Sequence, residues 1–561
     1  MPNCKEQVYS NDYFDFVIPY GEAYFMAGPD TCIQRIEEDY DILYYPREGL
    51  PPLSIADYSY SEIPKCFGLL DRTALEASGI LQMQIQPALS LTGNGVMIGF
   101  IDTGIDYTNP IFRYEDGSTR IVSIWDQTIE DGTPPEGILY GAQYRAEDIN
   151  QALLNENPYD IVPSRDQNGH GTFLAGIAAG GMDIENDFIG AAPDAQIAVV
   201  KLKEAKQYLK DFFFVKDGVP AYQENDIMLA VAYLDGLANA KNMPLVICLG
   251  VGSASGSRAG NSHLSTFLNY VCTRRKRSVV VANGNQAGTR HHFLGQLSGN
   301  MEYEEVEMNV EEEGNGFFIE LWAAVPELLE VSVTSPTGEE MQRVPAREGT
   351  TAVYNFIFER TTVSVDYRIE AKATGNLLIY FRFINSRKGI WRVRVYPRNI
   401  VSGVYHMWLP LQQFTKGDVF FLRSNPDTTL TIPASASQVI SVGAYNAANR
   451  SLYADSSRGY STTGVVKPDF VAPGVNVYGP NQRGNYIRQT GTSVSAAIAA
   501  GAVAQVMQWA IVERNAPAIS NAGIKNMLIR GTTKPAPFDF PNTGWGYGAL
   551  NVYQSFDLLR R

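Results

Sequence analysis

Cysteine is scarce in this sequence and scattered: Cys4, Cys32, Cys66, Cys248 and Cys272. The number is odd and no two cysteines form a CxxC pair. That argues against a disulfide framework and a cysteine zinc site, and reads as free thiols in a reducing compartment. Positive charge is in deficit. Lys and Arg total 45 against 60 Asp and Glu, a formal net charge of -15, so nucleic acid is not an expected partner. The start, MPNCKEQVYSNDYFDFVIPYG, lacks a basic stretch followed by an apolar one. No secretory signal is read there, and synthesis in the cytoplasm is the expectation. Internal repeats and a Walker motif are missing. GVGSASG, starting at Gly250, has glycines but neither GxGxxG spacing nor a helix after it.

Long uncharged runs are missing too, with one exception: TGTSVSAAIAAGAVAQVMQWAIV, Thr490 to Val512. Its length would cross a bilayer. However, Gln505 and Gln508 lie inside it, Ser493 and Ser495 open it, and Glu513 and Arg514 cancel after it. A buried helix is the reading, and no membrane span is expected.

What is present is globular: 45% of residues are hydrophobic and 19% charged. The first ~65 residues form an acidic, aromatic-rich unit in which DFVIPY and DILYYP read as strands around a helix-like CIQRIEEDY. SEIPKCFGLLD, Ser61 to Asp71, reads as an extended connector because Pro64 disfavours helix. LEASGILQMQIQPAL then reads as a helix. From Gly95, GVMIGFIDTGID is a buried strand ending in Asp102, and AQIAVVKL, PLVICLG and SVVVANGN are further apolar strands. DIMLAVAYLDGLANAKN between them has helical spacing. Strand alternating with helix predicts a mostly parallel sheet with helices on both faces.

The pattern breaks between about Phe293 and Thr428. GFFIELWAA, LEVSVTS, VYNFIFE, NLLIYFRF, IWRVRVYP and GVYHMWLP alternate at strand period, separated by turns such as SPTG and SRKG. This is an inserted all-β sandwich. The α/β pattern returns at TLTIPASASQVISVGAY. The organisation read from sequence is therefore 1–70, 71–292, 293–428 inserted, and 429–561. In the insert, Trp391, Tyr396, Tyr405 and Trp408 read as core packing rather than a carbohydrate platform, because they alternate with other apolar residues. The Glu-rich strip from Glu302 to Glu313 reads as a solvated face. Arg274 to Arg277 reads as a solvated helix end, Asp106 and Asp469 as turn supports, and the adjacent His291 and His292 as unsuited to a shared metal. No metal or cofactor is expected.

Three polar residues stand in unusual places: Asp102 at a strand end, His170 between glycines in NGHGT, and Ser493 in GTS at a helix start. A serine becomes a nucleophile when a base takes its proton, and histidine is that base near neutral pH. The imidazole needs a carboxylate on its other nitrogen, and a helix N-terminus favours the charge that develops at the serine.

These stretches, in the order Asp, His, Ser, resemble the subtilisin-like serine proteases (subtilases). The likeness runs through IDTGID, NGHGTFLAGIAAG, GAAPDAQIAVVKL, VICLGVGSASGS, VVVANGN, SSRGYSTTG, KPDFVAPG and GTSVSAAIAAG. The resemblance implies Asp102, His170 and Ser493 as a catalytic triad and Asn285 as the oxyanion-hole side chain. It also implies Leu249 and Gly250 as the edge that pairs with an extended protein or peptide substrate. A proline usual after the nucleophile is absent, Cys248 replaces a common serine, and Tyr460 replaces a common proline. These departures and the insert resemble the Csp branch, the clostridial spore-germination proteases, whose insert is a jelly roll. That resemblance implies an endopeptidase activating a spore cortex-lytic zymogen by limited proteolysis, incorporation into the spore, and residues 1–70 as a self-cleaved prodomain, cut within about Ser61–Ala77. The branch also holds non-catalytic regulators that have lost triad residues, which is the alternative reading; here all the residues of the pattern are present.

Overall fold

The computed structural model describes residues 12–19, 31–36, 40–48, 73–87, 89–370, 376–415 and 419–559, with Gly28 and Leu50 between them. The chain divides into two units, Met1–Leu69 and Leu70–Arg561.

The first unit has three strands, β1 (Tyr13–Pro19), β2 (Cys32–Ile36) and β3 (Tyr40–Pro46). They form an antiparallel sheet in the order β1-β3-β2. Phe16 lies opposite Leu43 and Phe14 opposite Tyr45. The two-residue period sets these on one face, where Phe16 and Leu43 are buried. The helix read over Cys32–Tyr40 is corrected here, because its first half is a strand. Cys32, Ile33 and Ile36 are weak helix formers, and β3 offers them a full edge of backbone partners. Cys32 is disulfide-bonded, its partner lying outside the described residues, which overturns the free-thiol reading for that cysteine. Cys248 and Cys272 are free and buried. The connector read at Ser61–Asp71 lies outside the described residues.

The second unit opens with two short helices, Thr73–Ala77 and Ile80–Ile85, instead of the single helix read from sequence. Gly79 at φ 71° breaks the run between them. Then follow β4 (Met97–Asp102), β5 (Ile121–Asp126), β6 (Ala142–Arg145), helix α1 (His170–Ala179), β7 (Gln196–Lys201), helix α2 (Glu224–Ala240), β8 (Leu245–Leu249), helix α3 (His263–Thr273) and β9 (Arg277–Ala282). Neighbours β5-β7-β4-β8-β9 run parallel. Each strand buries both faces. Ile98 and Phe100 of β4, Val246 and Cys248 of β8, and Val280 of β9 enter the core on one side. Met97 and Ile101, Leu245 and Ile247, and Val279 and Val281 enter the core on the other. This explains why these strands are apolar without alternation.

The insert contributes β10 (His292–Gln296), β11 (Glu304–Val310), β12 (Gly316–Ala323), β13 (Leu328–Thr334), β14 (Thr351–Phe356), β15 (Thr361–Glu370), β16 (Asn376–Ile384), β17 (Gly389–Asn399), β18 (Val404–Trp408) and β19 (Val419–Phe421). They make two antiparallel sheets, β10-β18-β12-β16-β15-β14 and β13-β17-β11-β19, around one core. Phe317, Ile319 and Leu321 of one sheet and Val393, Val395 and Trp391 of the other point into it at period two. Trp391, Tyr405 and Trp408 are all buried, so they form no exposed platform. The other face of β12 is buried as well. Phe318 packs edge-on to Phe213, and Glu320 accepts the Gly256 N–H at 2.6 Å, which seats the sandwich on the α/β layer.

The chain returns through β20 (Ile440–Asn446), β21 (Ser451–Leu452), β22 (Phe470–Pro473) and helix α4 (Thr492–Met507). β20 extends the parallel sheet beyond β9, and β22 pairs with it in parallel. The segment Thr492–Val512 is apolar and long enough for a bilayer, but 94% of its apolar window is buried inside the protein. Its glutamines are tied in. Gln505 Nε2 donates to the carbonyls of Leu91 and Ala191, and Gln508 Oε1 accepts the N–H groups of Thr92 and Gly93.

Candidate active site

Asp102 ends β4, His170 begins α1 and Ser493 lies in the first turn of α4. These elements lie far apart in sequence, and the sheet brings their ends together. His170 Nδ1 is 2.7 Å from Asp102 Oδ1, and His170 Nε2 is 3.1 Å from Ser493 Oγ. A carboxylate only accepts, so Nδ1 carries the proton. In the neutral ring Nε2 then accepts, and the serine hydroxyl donates to it. Burial disfavours a charged His170, but the Asp102 carboxylate acts against it through charge and hydrogen bond, helped by Asp166. The net effect raises the imidazole above its ordinary 6.5.

The local sequence explains the placement. Gly169 takes φ 89° just before α1, a conformation open to glycine, so that His170 starts the helix. Gly250 follows β8 directly. A Cβ there would come within 3.0 Å of Asp102 Oδ2 and 3.1 Å of the His170 ring, so glycine lets the backbone pass beside the pair. Leu249 itself is buried and paired on both sides, with Ile101 and Val281, so its side chain belongs to the core. The strand ends there, Gly250 follows it, and Ser253 is bridged to Ile432.

Asn285 is exposed at the end of the β9 loop. Its Oδ1 accepts the Thr492 N–H at 3.1 Å, which turns the NH₂ toward the serine. One point, where a side chain on Gly491 would begin, lies 3.4 Å from Ser493 Oγ, 3.5 Å from Asn285 Nδ2 and 4.0 Å from the Ser493 nitrogen. Glycine at 491 thus keeps a side chain out of the space between the serine hydroxyl and the Asn285 amide, at the N-terminus of α4 where backbone N–H groups favour negative charge.

Sequence reasoning missed Asp166. Its Oδ1 accepts from Thr103 Oγ1, Asn168 N and Gly169 N, and its Oδ2 from the backbone and hydroxyl of Thr172. Thr103 Oγ1 in turn accepts the Gly171 N–H at 2.9 Å. This buried carboxylate fixes the loop that presents His170. Its sequence signal is weak, an aspartate four residues before the histidine with no pattern of its own. Ser495, in a stretch where a proline is usual, donates to the carbonyls of Ala472 and Pro473 and so fastens α4 to β22.

Arg277 is only 3% exposed and its Nε lies 2.5 Å from Asp235 Oδ1, so this residue belongs to the core link between β9 and α2, whereas Arg274 and Arg275 are exposed at the helix end. Asp106 does support a turn, through Thr108. Asp469 does more, joining the Ser441 N–H and the buried Lys467 ammonium at 2.8 Å each. Among the described residues no cluster of three or more His, Cys, Asp or Glu is placed to hold a metal.

A parallel α/β sheet carrying a hydrogen-bonded carboxylate, imidazole and hydroxyl at its strand and helix ends defines the class: a serine-hydrolase arrangement. The subtilase family model matches residues 93–309 and 415–548, more than half of the chain, and the chain belongs to this family of subtilisin-like serine peptidases. Among solved structures it is similar to the CspB protease of Clostridium perfringens: 30% identity, TM-score 0.77, 87% of this chain and 99% of that one. It is 21% identical over 431 residues to the C5a peptidase of Streptococcus pyogenes, covering 73% of this chain and 34% of that protein. It is 39% identical over 127 residues to the subtilisin-like protease SBT2.1 of Arabidopsis thaliana, covering 19% and 15%. The alignments thus span about a third or less of those curated relatives.

Proposed function

We propose that this protein is a serine endopeptidase using Asp102, His170 and Ser493, and that it acts by limited proteolysis on a protein zymogen such as a spore cortex-lytic enzyme during germination. The observation that carries the catalytic part is the continuous hydrogen-bonded chain from Asp102 through His170 to Ser493. Ser493 Oγ attacks the peptide carbonyl while His170 Nε2 takes its proton. The imidazolium faces Asp102 through Nδ1–H. The tetrahedral oxygen receives the Asn285 amide and the Ser493 N–H. His170 then delivers the proton to the leaving amine, and water repeats the sequence on the acyl-enzyme. Backbone at the Leu249–Gly250 strand end, from Gly250, pairs with the extended substrate. The germination role rests on the likeness to CspB, and with it location in the spore.

The N-terminal unit is a prodomain that the enzyme removes from itself. A parallel sheet whose strands come from distant parts of the chain is slow to form, and an attached folding aid suits it.

The test is a fluorophosphonate probe with intact-mass measurement on wild type and Ser493→Ala. The wild type takes the label and appears as two pieces; the alanine variant is unlabelled, inactive and uncut. An unlabelled wild type would favour the non-catalytic regulator. A labelled, fully active wild type that stays one 561-residue chain would remove the prodomain reading alone.

A further inference from the structure

A cleft of about 320 Å³ opens beside Asn285, and its walls come from three parts of the chain. Asn285 and Gln286 belong to the loop after β9. Gln412 and Gln413 come from the insert, on its short helix Gln412–Thr415. Tyr453 and Asp455 lie just beyond β21. The sandwich therefore supplies part of the rim of the candidate active site.

Amide side chains dominate the lining, and its one charged member among the described residues is Asp455. That carboxylate is held in place. The Asp455 carbonyl accepts the Ala287 N–H at 3.1 Å, which ties it to the Asn285 loop. Its Oδ1 presses on Gly288, where a Cβ would come within 2.1 Å. Burial, then the neighbouring Asp455 charge, pushes the Tyr453 hydroxyl up to about 12. Ser457, two residues past Asp455, accepts the Gln286 N–H at 2.9 Å, so the two walls are laced together. Among the described residues no Lys, Arg or His nitrogen lies within ion-pair distance of Asp455. A half-buried carboxylate among amides, with no cation in ion-pair reach, can take an arriving cation in a charge-assisted hydrogen bond. Gln286, Gln412 and Gln413 add carbonyl acceptors for the same donor. The net charge of -15 attracts cationic peptides from a distance.

We propose that this cleft is a substrate subsite for a lysine or arginine side chain next to the bond cleaved at Ser493. Asn285 lines the cleft and also faces the serine, so a peptide whose carbonyl sits there carries a flanking side chain past Asp455. The proposal rests on the peptidase reading above and adds specificity to it.

The experiment uses full-length protein and a peptide series varied at each position flanking the scissile bond through Lys, Arg, Met, Gln and Glu. At one position Lys or Arg gives kcat/KM about tenfold or more above Met, as a charge-assisted hydrogen bond implies. Asp455→Asn brings that ratio close to one. Gln413→Glu, an exposed change, steepens it and keeps the test alive if the aspartate variant does not fold. An active, probe-labelled enzyme with no cationic preference at any flanking position overturns the subsite. So does a preference that neither substitution moves. Failure of the wild type to take the probe strikes the peptidase reading instead, so the two failures are told apart.

Discussion

His170 at the candidate active site and His292 where the sandwich meets the α/β layer both use both ring nitrogens, and burial works against charge on each. Their neighbours differ. His170 donates to a carboxylate and is raised above 6.5. His292 Nδ1 donates to the Asn425 carbonyl at 3.1 Å, which leaves Nε2 to accept from His406 Nδ1 at 2.9 Å. His406 stacks on Trp408, which also stacks on His292 and lies under the Arg258 guanidinium, 4.3 Å from the ring centre. The nearby carboxylate, Glu320, is pushed up by burial and drawn down by Arg258, and it accepts from Gly256 and Trp322 rather than from either imidazole. Burial, then His406 and Arg258, hold His292 well below 6.5, and burial, then Arg258, takes His406 to about 4. Burial has the same sign at both places. What separates a ring ready to take a proton from one that refuses it is the charge of the group on the next atom.

The strongest way to break this contrast is to take the carboxylate from His170. Asp102→Asn keeps the shape but gives the imidazole the wrong tautomer, and kcat falls by about 10⁴. In the wild type, kcat/KM declines as pH falls through the raised His170 value, an inflection above 6.5. In the residual activity of the variant that inflection moves down. An unmoved inflection would assign the limb to another group. Asn285→Ala comes next, lowering kcat about 10²–10³-fold with little change in KM, because its amide acts on the charged intermediate. An effect confined to KM would make it a binding residue.

The junction histidines answer in stability. His291 is held to about 4 by burial, like His406. The unfolded chain protonates these rings near 6.5 and the folded one only near 4 or below. Stability is therefore full above about 6.5 and falls as pH drops toward 4, by ~1.4 kcal/mol per pH unit for each histidine. His170 has the opposite sign: its contribution is present below 6.5 and lost as pH rises through its folded value. Denaturant unfolding of Ser493→Ala at stepped pH, with and without His406→Gln, checks this; an unchanged slope contradicts it. The smallest effect is expected for Arg258→Gln, which removes the cation facing the pair and raises His406 toward 6.5 in an NMR titration. No shift would leave burial as the sole cause.

Legibility followed the range of each interaction. Strands buried on both faces, such as MIGFID and SVVVA, are uniformly apolar, and sandwich strands such as NLLIYFRFI alternate; a single periodicity separates them. Asp102, His170, Asn285 and Ser493 could be singled out because each stands in a local context that chemistry explains. The His292–His406 pair could not, since its partners meet through the β10–β18 register, 114 residues apart. Asp166 was hidden because a carboxylate capping a loop leaves no periodic trace. Cys32–Ile36 was misread because five residues beside a polar stretch carry too little pattern to overrule one adjacent strand. Arg277 looked solvated because its partner, Asp235, is on another helix.

The position of α4 along the chain has a consequence for how the molecule is made. Asp102, His170 and Asn285 all leave the ribosome before Ser493 does. The helix that carries the serine also supplies the middle of the core against β4, β8, β9, β20 and β22. Until its last turn emerges, the sheet has one face without its central helix, and the apolar run from Thr490 offers itself to any hydrophobic surface nearby. Closing the core and completing the hydroxyl–imidazole contact are thus one event, late in synthesis. Before that point a growing chain holds no assembled nucleophile.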